Sequence, residues 1–104
     1  DASFTTVLLN MYRNGKDSNG WHADDEPELG KNPVIASVSL GAARFFHLRH
    51  KLDPQQRYKI ILEHGSLLLM GGVTQHFWKH QVAKTSKKVG PRINLTFRKV
   101  YHSN

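Results

Sequence analysis

The sequence predicts an all-β fold, either a small barrel or a double-sheet jelly roll. Short segments rich in β-branched and apolar residues recur along the chain, and turn residues such as Gly, Pro, Asn and Asp separate them. Little of the chain has the periodicity of an amphipathic helix. The last segment, residues 91–101, alternates regularly between apolar and polar residues. We therefore expect one domain, residues 1–104, with few or no helices.

The predicted strands follow one another at short intervals. Residues 1–9 already have strand composition, and the first strand is expected to reach Tyr12 before a turn-rich loop at residues 13–20. A second strand is expected to end near His22, before a polar loop with two prolines. The later predicted strands are residues 34–40, 43–49, 58–62, 67–70, part of the mixed segment 74–82, and 91–101, with a basic loop at 83–90. This spacing is typical of sandwiches and barrels.

Composition limits the classes of protein and partner. A net charge of +7 favours a polyanionic partner such as nucleic acid. The absence of cysteine excludes a disulfide-stapled scaffold and fits a reducing compartment. No apolar run approaches the roughly 20 residues that span a bilayer, and no signal segment is recognisable. We expect an intracellular protein without a membrane partner, favour a monomer, and expect the chain to be a fragment or trimmed core because it starts abruptly without methionine.

The last predicted strand has one polar face. Because side chains alternate along a strand, one face carries Ile93, Leu95 and Phe97, and the other carries Arg92, Asn94, Thr96 and Arg98. On a half-exposed sheet the polar face would simply be wet. If it faces inward, its two guanidinium groups need anionic partners, because an unpaired buried charge is costly. A dicarboxylate ligand would satisfy them, since guanidinium groups bind carboxylates in two-pronged geometry.

Two histidines and an aspartate are candidates for a metal site. His22 and Asp24 are two residues apart at a strand end, so their side chains are expected to point to the same side. Alone, this spacing also fits a surface histidine beside an acidic loop. His76 and His80 compete for the third position, and we favour His80 because it lies closer to the arginine-bearing strand. Two histidines and a carboxylate on one side of an ion are typical of non-haem Fe(II) oxygenases.

These patterns together resemble the AlkB family of Fe(II)/2-oxoglutarate dioxygenases, most closely the branch that repairs alkylated DNA. The resemblance covers residues 7–100, and its most specific motif is Arg-x-Asn-Leu-Thr-Phe-Arg at residues 92–98. The other matching motifs are Asn10-x-Tyr12, His22-x-Asp24-x-Glu26, residues 35–41, 48–51 and 64–68, and His80. The resemblance implies a double-stranded β-helix (jelly-roll) core.

The resemblance also implies residue roles. His22, Asp24 and His80 would bind Fe(II), and Arg92 would pair with the distal carboxylate of 2-oxoglutarate. The other expected cosubstrate residues are Tyr12, Asn10, Arg98, Asn94 and Thr96. Glu26 falls where the family places an acidic residue that contacts the exocyclic nitrogen of the damaged base, and Trp21 is expected in the pocket wall. His76 would be a pocket-wall or supporting residue.

The activity that the resemblance implies uses Fe(II), 2-oxoglutarate and dioxygen to remove N-methyl groups from bases of the 1-methyladenine or 3-methylcytosine type. The substrate would be DNA, or RNA, and the product formaldehyde. Family members carry an N-terminal extension with helices and a nucleotide-recognition lid, and nothing in these 104 residues corresponds to it. Two alternatives remain open: an oxygenase acting on protein or a small molecule, and a nucleic-acid-binding module with a vestigial metal site.

Overall fold

Eight strands form two four-stranded antiparallel sheets in the computed structural model, which describes residues 3–101. The strands are β1 (Thr6–Tyr12), β2 (Asn19–His22), β3 (Ile35–Gly41), β4 (Arg44–His50), β5 (Arg57–Leu62), β6 (Leu67–Met70), β7 (Trp78–Val82) and β8 (Arg92–Arg98). The helical elements in this range are the 3₁₀ turn Pro27–Leu29 and the single turn α1 (Thr74–Phe77), and neither is long enough to cross a membrane. The prediction of an all-β jelly roll is confirmed.

The strand order brings together segments that are distant in sequence. The first sheet has the order β1-β8-β3-β6, and the second sheet has the order β2-β7-β4-β5. β8 therefore lies between β1 and β3, with Asn94 opposite both Asn10 and Ser39. In the second sheet, His22 of β2 lies directly opposite His80 of β7. This order places the polar residues of the first and last strands beside each other.

Several strand boundaries shift by one or two residues from the sequence expectation, and three differences are larger or change the type of element. The first strand begins only at Thr6, and the part predicted at residues 1 and 2 lies outside the described residues. β8 ends at Arg98 because the chain then leaves the ladder, with the Val100 N–H donating to Thr5 Oγ1 (2.9 Å). The start of segment 74–82 is helical, because the Thr74 hydroxyl donates to the Gly71 carbonyl (2.7 Å) and closes a turn.

The hydrophobic core lies between the two sheets. Apolar side chains on their inner faces form one buried cluster, made of Tyr12, Leu29, Ile35, Phe46, Leu62, Met70 and Val82. Burial of side chains of this size stabilises the fold by roughly 1.5–3 kcal/mol each. Six of the cluster's seven members, all except Leu29, also line the cavity described below, so the core and the cavity share walls.

Gly41 permits the tight connection between β3 and β4. Its φ angle is +95°, in the left-handed region, and a Cβ atom there would approach the Pro91 carbonyl oxygen to 2.4 Å. The next residue, Ala42, donates its N–H to the same carbonyl (2.9 Å). Only glycine fits such a close approach with this backbone conformation. The contact holds the turn against the start of β8.

Arg44 is a buried cation that pairs with no carboxylate in the described part of the chain. Its side chain is 4% exposed and donates to the backbone carbonyls of Asn14 (3.3 Å), Asp17 (3.1 Å) and Ala83 (2.6 Å). Its guanidinium carbon also lies 5.6 Å from the centre of the Tyr12 ring. Arg44 therefore connects the loop after β1 with the end of β7.

The outer face of the first sheet is apolar and open. Val7, Leu9 and Met11 of β1 are 57–59% exposed, and Leu67 and Leu69 of β6 are each 61% exposed. Ile93, Leu95 and Phe97 of β8 share this face, as alternation predicted. Their polar neighbours in β8 consequently face the other sheet.

We predict that Arg44→Met destabilises the protein by about 2–4 kcal/mol, because it leaves buried backbone carbonyls without donors. The free energy of unfolding can be measured by urea denaturation. Lys16→Met is the matched control, since Lys16 is exposed in the same loop and its loss should change stability by less than about 0.5 kcal/mol. Equal changes in the two variants would contradict the bracing role of Arg44.

Candidate active site

The two histidines and the aspartate expected to bind metal converge at the second sheet. His22 ends β2, Asp24 follows it by two residues, and His80 lies opposite His22 on β7. One nitrogen or oxygen ligand atom from each lies within 4.8 Å of the other two. The imidazole centroids of His22 and His80 are 4.2 Å apart. Three ligands on one side of a point leave the opposite side open to further ligands, as in a facial triad.

Burial tunes His80 for metal binding. His80 is 4% exposed, and its ring stacks on Phe46, with centroids 5.1 Å apart. Burial, and secondarily the nearby His22, lowers the pKa of His80 to about 4. The ring is therefore neutral at pH 7, so its 3.6 Å approach from Nε2 to Asp24 Oδ2 is not an ion pair. A neutral imidazole is the form that binds a metal ion.

Asp24 is oriented by a residue that the sequence did not indicate. The Asp24 N–H donates to Gln75 Oε1 (2.8 Å), and Gln75, a residue of α1, is fully buried. Lys51 Nζ donates to the Gln75 carbonyl (3.0 Å). Burial raises the pKa of Asp24, opposed by the charges of His22 and Arg98. A buried glutamine in a one-turn helix belongs to no recognisable sequence pattern, so it could not be singled out before the structure.

The polar face of β8 points into a cavity between the sheets. The cavity is lined by the metal candidates together with all of the expected cosubstrate residues, namely Asn10, Tyr12, His22, Asp24, His80, Arg92, Asn94, Thr96 and Arg98. Hydrogen bonds hold its wall: Ser37 Oγ lies 2.6 Å from Asn94 Oδ1, and Asn94 Nδ2 donates to Thr96 Oγ1 (2.8 Å). The alternative in which the polar face of β8 is simply exposed to solvent is therefore wrong.

Arg92 has unused hydrogen-bonding capacity inside this cavity. It is 1% exposed, donates from Nη2 to Ser39 Oγ (2.9 Å), and lies with its guanidinium carbon 5.0 Å from the centre of the Tyr12 ring. Burial lowers its pKa from the ordinary arginine value. Within residues 3–101, Arg92 Nε and Nη1 have no hydrogen-bond partner, and neither does Arg98 Nε. Buried, unpaired donors of this kind fit an anionic ligand with carboxylate groups.

Three of the remaining predicted residues lie outside the cavity lining. His76 Nε2 contacts the Lys31 carbonyl and Asn32 Oδ1 (3.0 Å), away from the metal candidates. Glu26 is exposed, yet near enough for its charge to raise the pKa of Asp24. Trp21 is not in the pocket wall, because alternation along β2 turns it outward from His22. Its ring lies instead 4.4 Å from the Arg49 guanidinium carbon.

Comparison with known proteins agrees with this class of site. Residues 1–98 match the family described as the 2OG-Fe(II) oxygenase superfamily. The chain belongs to this superfamily and, within it, to the AlkB family of 2OG-Fe(II) dioxygenases. A solved structure, described as the structure of OsALKBH1, matches with a TM-score of 0.76 at 28% identity, covering 94% of this chain and 49% of that one.

Two relatives within this family are more similar to the chain in sequence. Alpha-ketoglutarate-dependent dioxygenase alkB homolog 3 of Bos taurus is 52% identical over 107 residues, covering 95% of this chain and 37% of the relative. DNA oxidative demethylase ALKBH2 of Homo sapiens is 45% identical over 105 residues, covering 94% of this chain and 40% of the relative. The chain thus spans well under half the length of these relatives.

We predict that His80→Ala loses metal while His76→Ala retains it. His80 supplies one of the three converging ligand atoms, whereas His76 lies on the Lys31 and Asn32 loop. After reconstitution with Fe(II) under anaerobic conditions, iron analysis should find about one equivalent per chain in His76→Ala and little in His80→Ala. Equal iron loss in both variants would overturn the choice of His80.

Proposed function

We propose that this chain is the core of an Fe(II)- and 2-oxoglutarate-dependent dioxygenase that removes N-methyl groups from bases in DNA or RNA. The observation that supports it most is one cavity with three converging metal ligands and a buried, partly unpaired Arg92. A metal ligand set alone would fit many activities. The added buried cation is what a dicarboxylate cosubstrate requires.

The metal ligands in this proposal are His22, Asp24 and His80. The donor set suits Fe(II), since two neutral imidazoles and one carboxylate are the ligands of non-haem iron oxygenases. When bound, the iron with 2-oxoglutarate and dioxygen supplies the oxidant that hydroxylates a C–H bond. Gln75 would keep the Asp24 backbone in place through its 2.8 Å hydrogen bond. Such supporting partners commonly affect metal affinity by about 10- to 100-fold.

The residues proposed to bind the cosubstrate line the opposite wall of the cavity, on the first sheet. Arg92 would bind the distal carboxylate through Nε and Nη1, which have no hydrogen-bond partner within residues 3–101, with Tyr12 beside it. Ser39 Oγ limits the rotation of the guanidinium by accepting a hydrogen bond from its Nη2. Asn10 and Arg98 would contact the end nearer the metal, where Arg98 Nη1 already lies 3.9 Å from Asp24 Oδ1. Asn94 and Thr96 would hold the wall between the two ends.

The substrate assignment rests on charge, on Glu26 and on the relatives. Glu26 is exposed close to Asp24, where its carboxylate could accept a hydrogen bond from the exocyclic nitrogen of a methylated adenine or cytosine. The net charge of +7 favours phosphate binding. Hydroxylation of the N-methyl carbon gives a hemiaminal, which releases formaldehyde and the unmodified base. A paired base must first leave the helix, at a cost of a few kcal/mol.

Formaldehyde release tests the proposal directly. The iron-loaded protein, given 2-oxoglutarate and oxygen, should release formaldehyde from oligonucleotides containing 1-methyladenine or 3-methylcytosine. Methylated RNA and a methylated peptide are run in parallel, with unmodified oligonucleotide as the blank. Turnover of the peptide alone would support the alternative oxygenase. Nucleic-acid binding without any iron-dependent 2-oxoglutarate turnover would support a binding module.

We predict that Arg92→Ala raises the 2-oxoglutarate concentration needed for half-maximal turnover by about 10- to 100-fold. The loss of charge-assisted hydrogen bonds, worth about 1.5–3 kcal/mol, accounts for this range. Iron content should change little, because Arg92 contacts Ser39 and Tyr12 and none of the metal candidates. A larger fall in iron binding than in 2-oxoglutarate affinity would show that the assigned role is wrong.

A further inference from the structure

The outer face of the second sheet is basic and has no acidic residue. None of its four strands contains an aspartate or glutamate. Their outward positions include four cations, Lys79 on β7, Arg49 on β4, and Arg57 and Lys59 on β5. Within residues 3–101 none of the four makes an ion pair with a carboxylate. We call these four residues together with Trp21 the basic face.

Three of these cations stand directly beside one another. Arg49 is paired in register with Lys79 on one side and with Arg57 on the other. Neighbouring strands are about 4.8 Å apart, so the three positions form a row across the sheet. Like charges in directly opposed positions destabilise a sheet. A polyanion lying across the row would remove this repulsion.

Aromatic rings fix two of the cations in place. The Arg49 guanidinium carbon lies 4.4 Å from the centre of the Trp21 ring, and Lys59 Nζ lies 4.0 Å from the centre of the Phe45 ring. Arg49 is half-buried as a result. A cation held over a ring loses less side-chain freedom when it binds an anion than a free surface lysine does. The basic face is thus partly organised before any ligand arrives.

The two outer faces of the jelly roll differ sharply. In the first sheet the charged strand residues are Arg92 and Arg98, and both point into the cavity. The positive charge on strand surfaces is therefore concentrated on the second sheet. A general excess of lysine and arginine would place cations on the outer faces of both sheets.

The basic face backs directly onto the metal site. Trp21 precedes His22 on β2, and Lys79 precedes His80 on β7, so each outward residue adjoins an inward metal candidate. The two sides are separated only by the thickness of one sheet. A strand of nucleic acid on the outer side would consequently lie within one sheet's thickness of the cavity.

We propose that the basic face binds the phosphate backbone of a nucleic-acid strand, next to the nucleotide that enters the cavity. This inference rests on the proposed function, because it assumes a nucleic-acid substrate. Nucleic acid fits better than an anionic membrane, since Trp21 and Phe45 lie beneath cations and are not free to insert into lipid. A row of cations at strand spacing suits a chain of regularly repeated phosphates.

The test compares two triple variants with the same change in charge. Lys79→Gln, Arg49→Gln and Arg57→Gln are combined in one protein, and Lys16→Gln, Lys31→Gln and Lys99→Gln in the control. The control residues are exposed and lie outside the second sheet. Fluorescence anisotropy then follows binding of a labelled, unmodified single-stranded oligonucleotide at several salt concentrations. Circular dichroism and thermal unfolding establish that both variants fold.

The basic-face variant should bind at least about tenfold more weakly at 0.1 M salt, and the slope of log K against log salt should fall by about 2, near 0.7 for each lost phosphate contact. The control should change affinity by less than about threefold. Equal weakening in both variants, or no binding by the unmodified protein, would overturn the proposal. Loss of binding to phosphatidylserine vesicles with oligonucleotide binding intact would assign the face to membranes instead.

Formaldehyde release separates this failure from failure of the proposed function. If the unmodified protein demethylates oligonucleotides and the two triple variants bind alike, the basic face is not the binding surface and the activity stands. If only a methylated peptide is turned over, the nucleic-acid activity fails, and the basic-face assignment loses the assumption on which it rests.

Discussion

The structure depends on how two buried guanidinium groups are compensated between the sheets. Arg44 and Arg92 approach the Tyr12 ring, at 5.6 and 5.0 Å from its centre, and neither forms an ion pair within residues 3–101. A buried charge without compensation is costly. Arg44 is satisfied by backbone carbonyls and braces the loops. Within residues 3–101, the Nε and Nη1 atoms of Arg92 have no hydrogen-bond partner, and this difference between two similar groups marks the place for an anion.

The metal candidates suit a positively charged ligand, in contrast to Arg92, which suits a negatively charged one. Burial favours the neutral form of His80, with its pKa lowered to about 4, and it also raises the pKa of Asp24. A divalent cation at this end would stabilise the carboxylate and use the neutral imidazole. The cavity therefore has one end suited to a cation and another suited to an anion. A ligand that chelates a metal through one end and carries a carboxylate at the other matches both.

Local pattern predicted much of the candidate site. Alternation along residues 92–98 grouped Arg92, Asn94, Thr96 and Arg98 on one face, and these residues all line the cavity. The two-residue spacing of His22 and Asp24 likewise predicts that their side chains point to the same side, and both line the cavity. The same alternation contradicts the expectation for Trp21, which is adjacent to His22 and must point the other way. Gln75 could not be predicted, because its importance comes from a hydrogen bond to a residue 51 positions away.

By itself the sequence determined the all-β class and the division of β8 into an apolar and a polar face. It also supplied the residue types that can bind a metal ion and a carboxylate ligand. Only the tertiary structure decided which face of β8 is inside, and that His80 and not His76 stands opposite His22. It also decided that the cations of the second sheet point outward and form no ion pair with a carboxylate of residues 3–101. Strand periodicity specifies which side chains share a face. The choice between faces is made by the burial of both sheets' apolar residues against each other, which involves the whole chain at once.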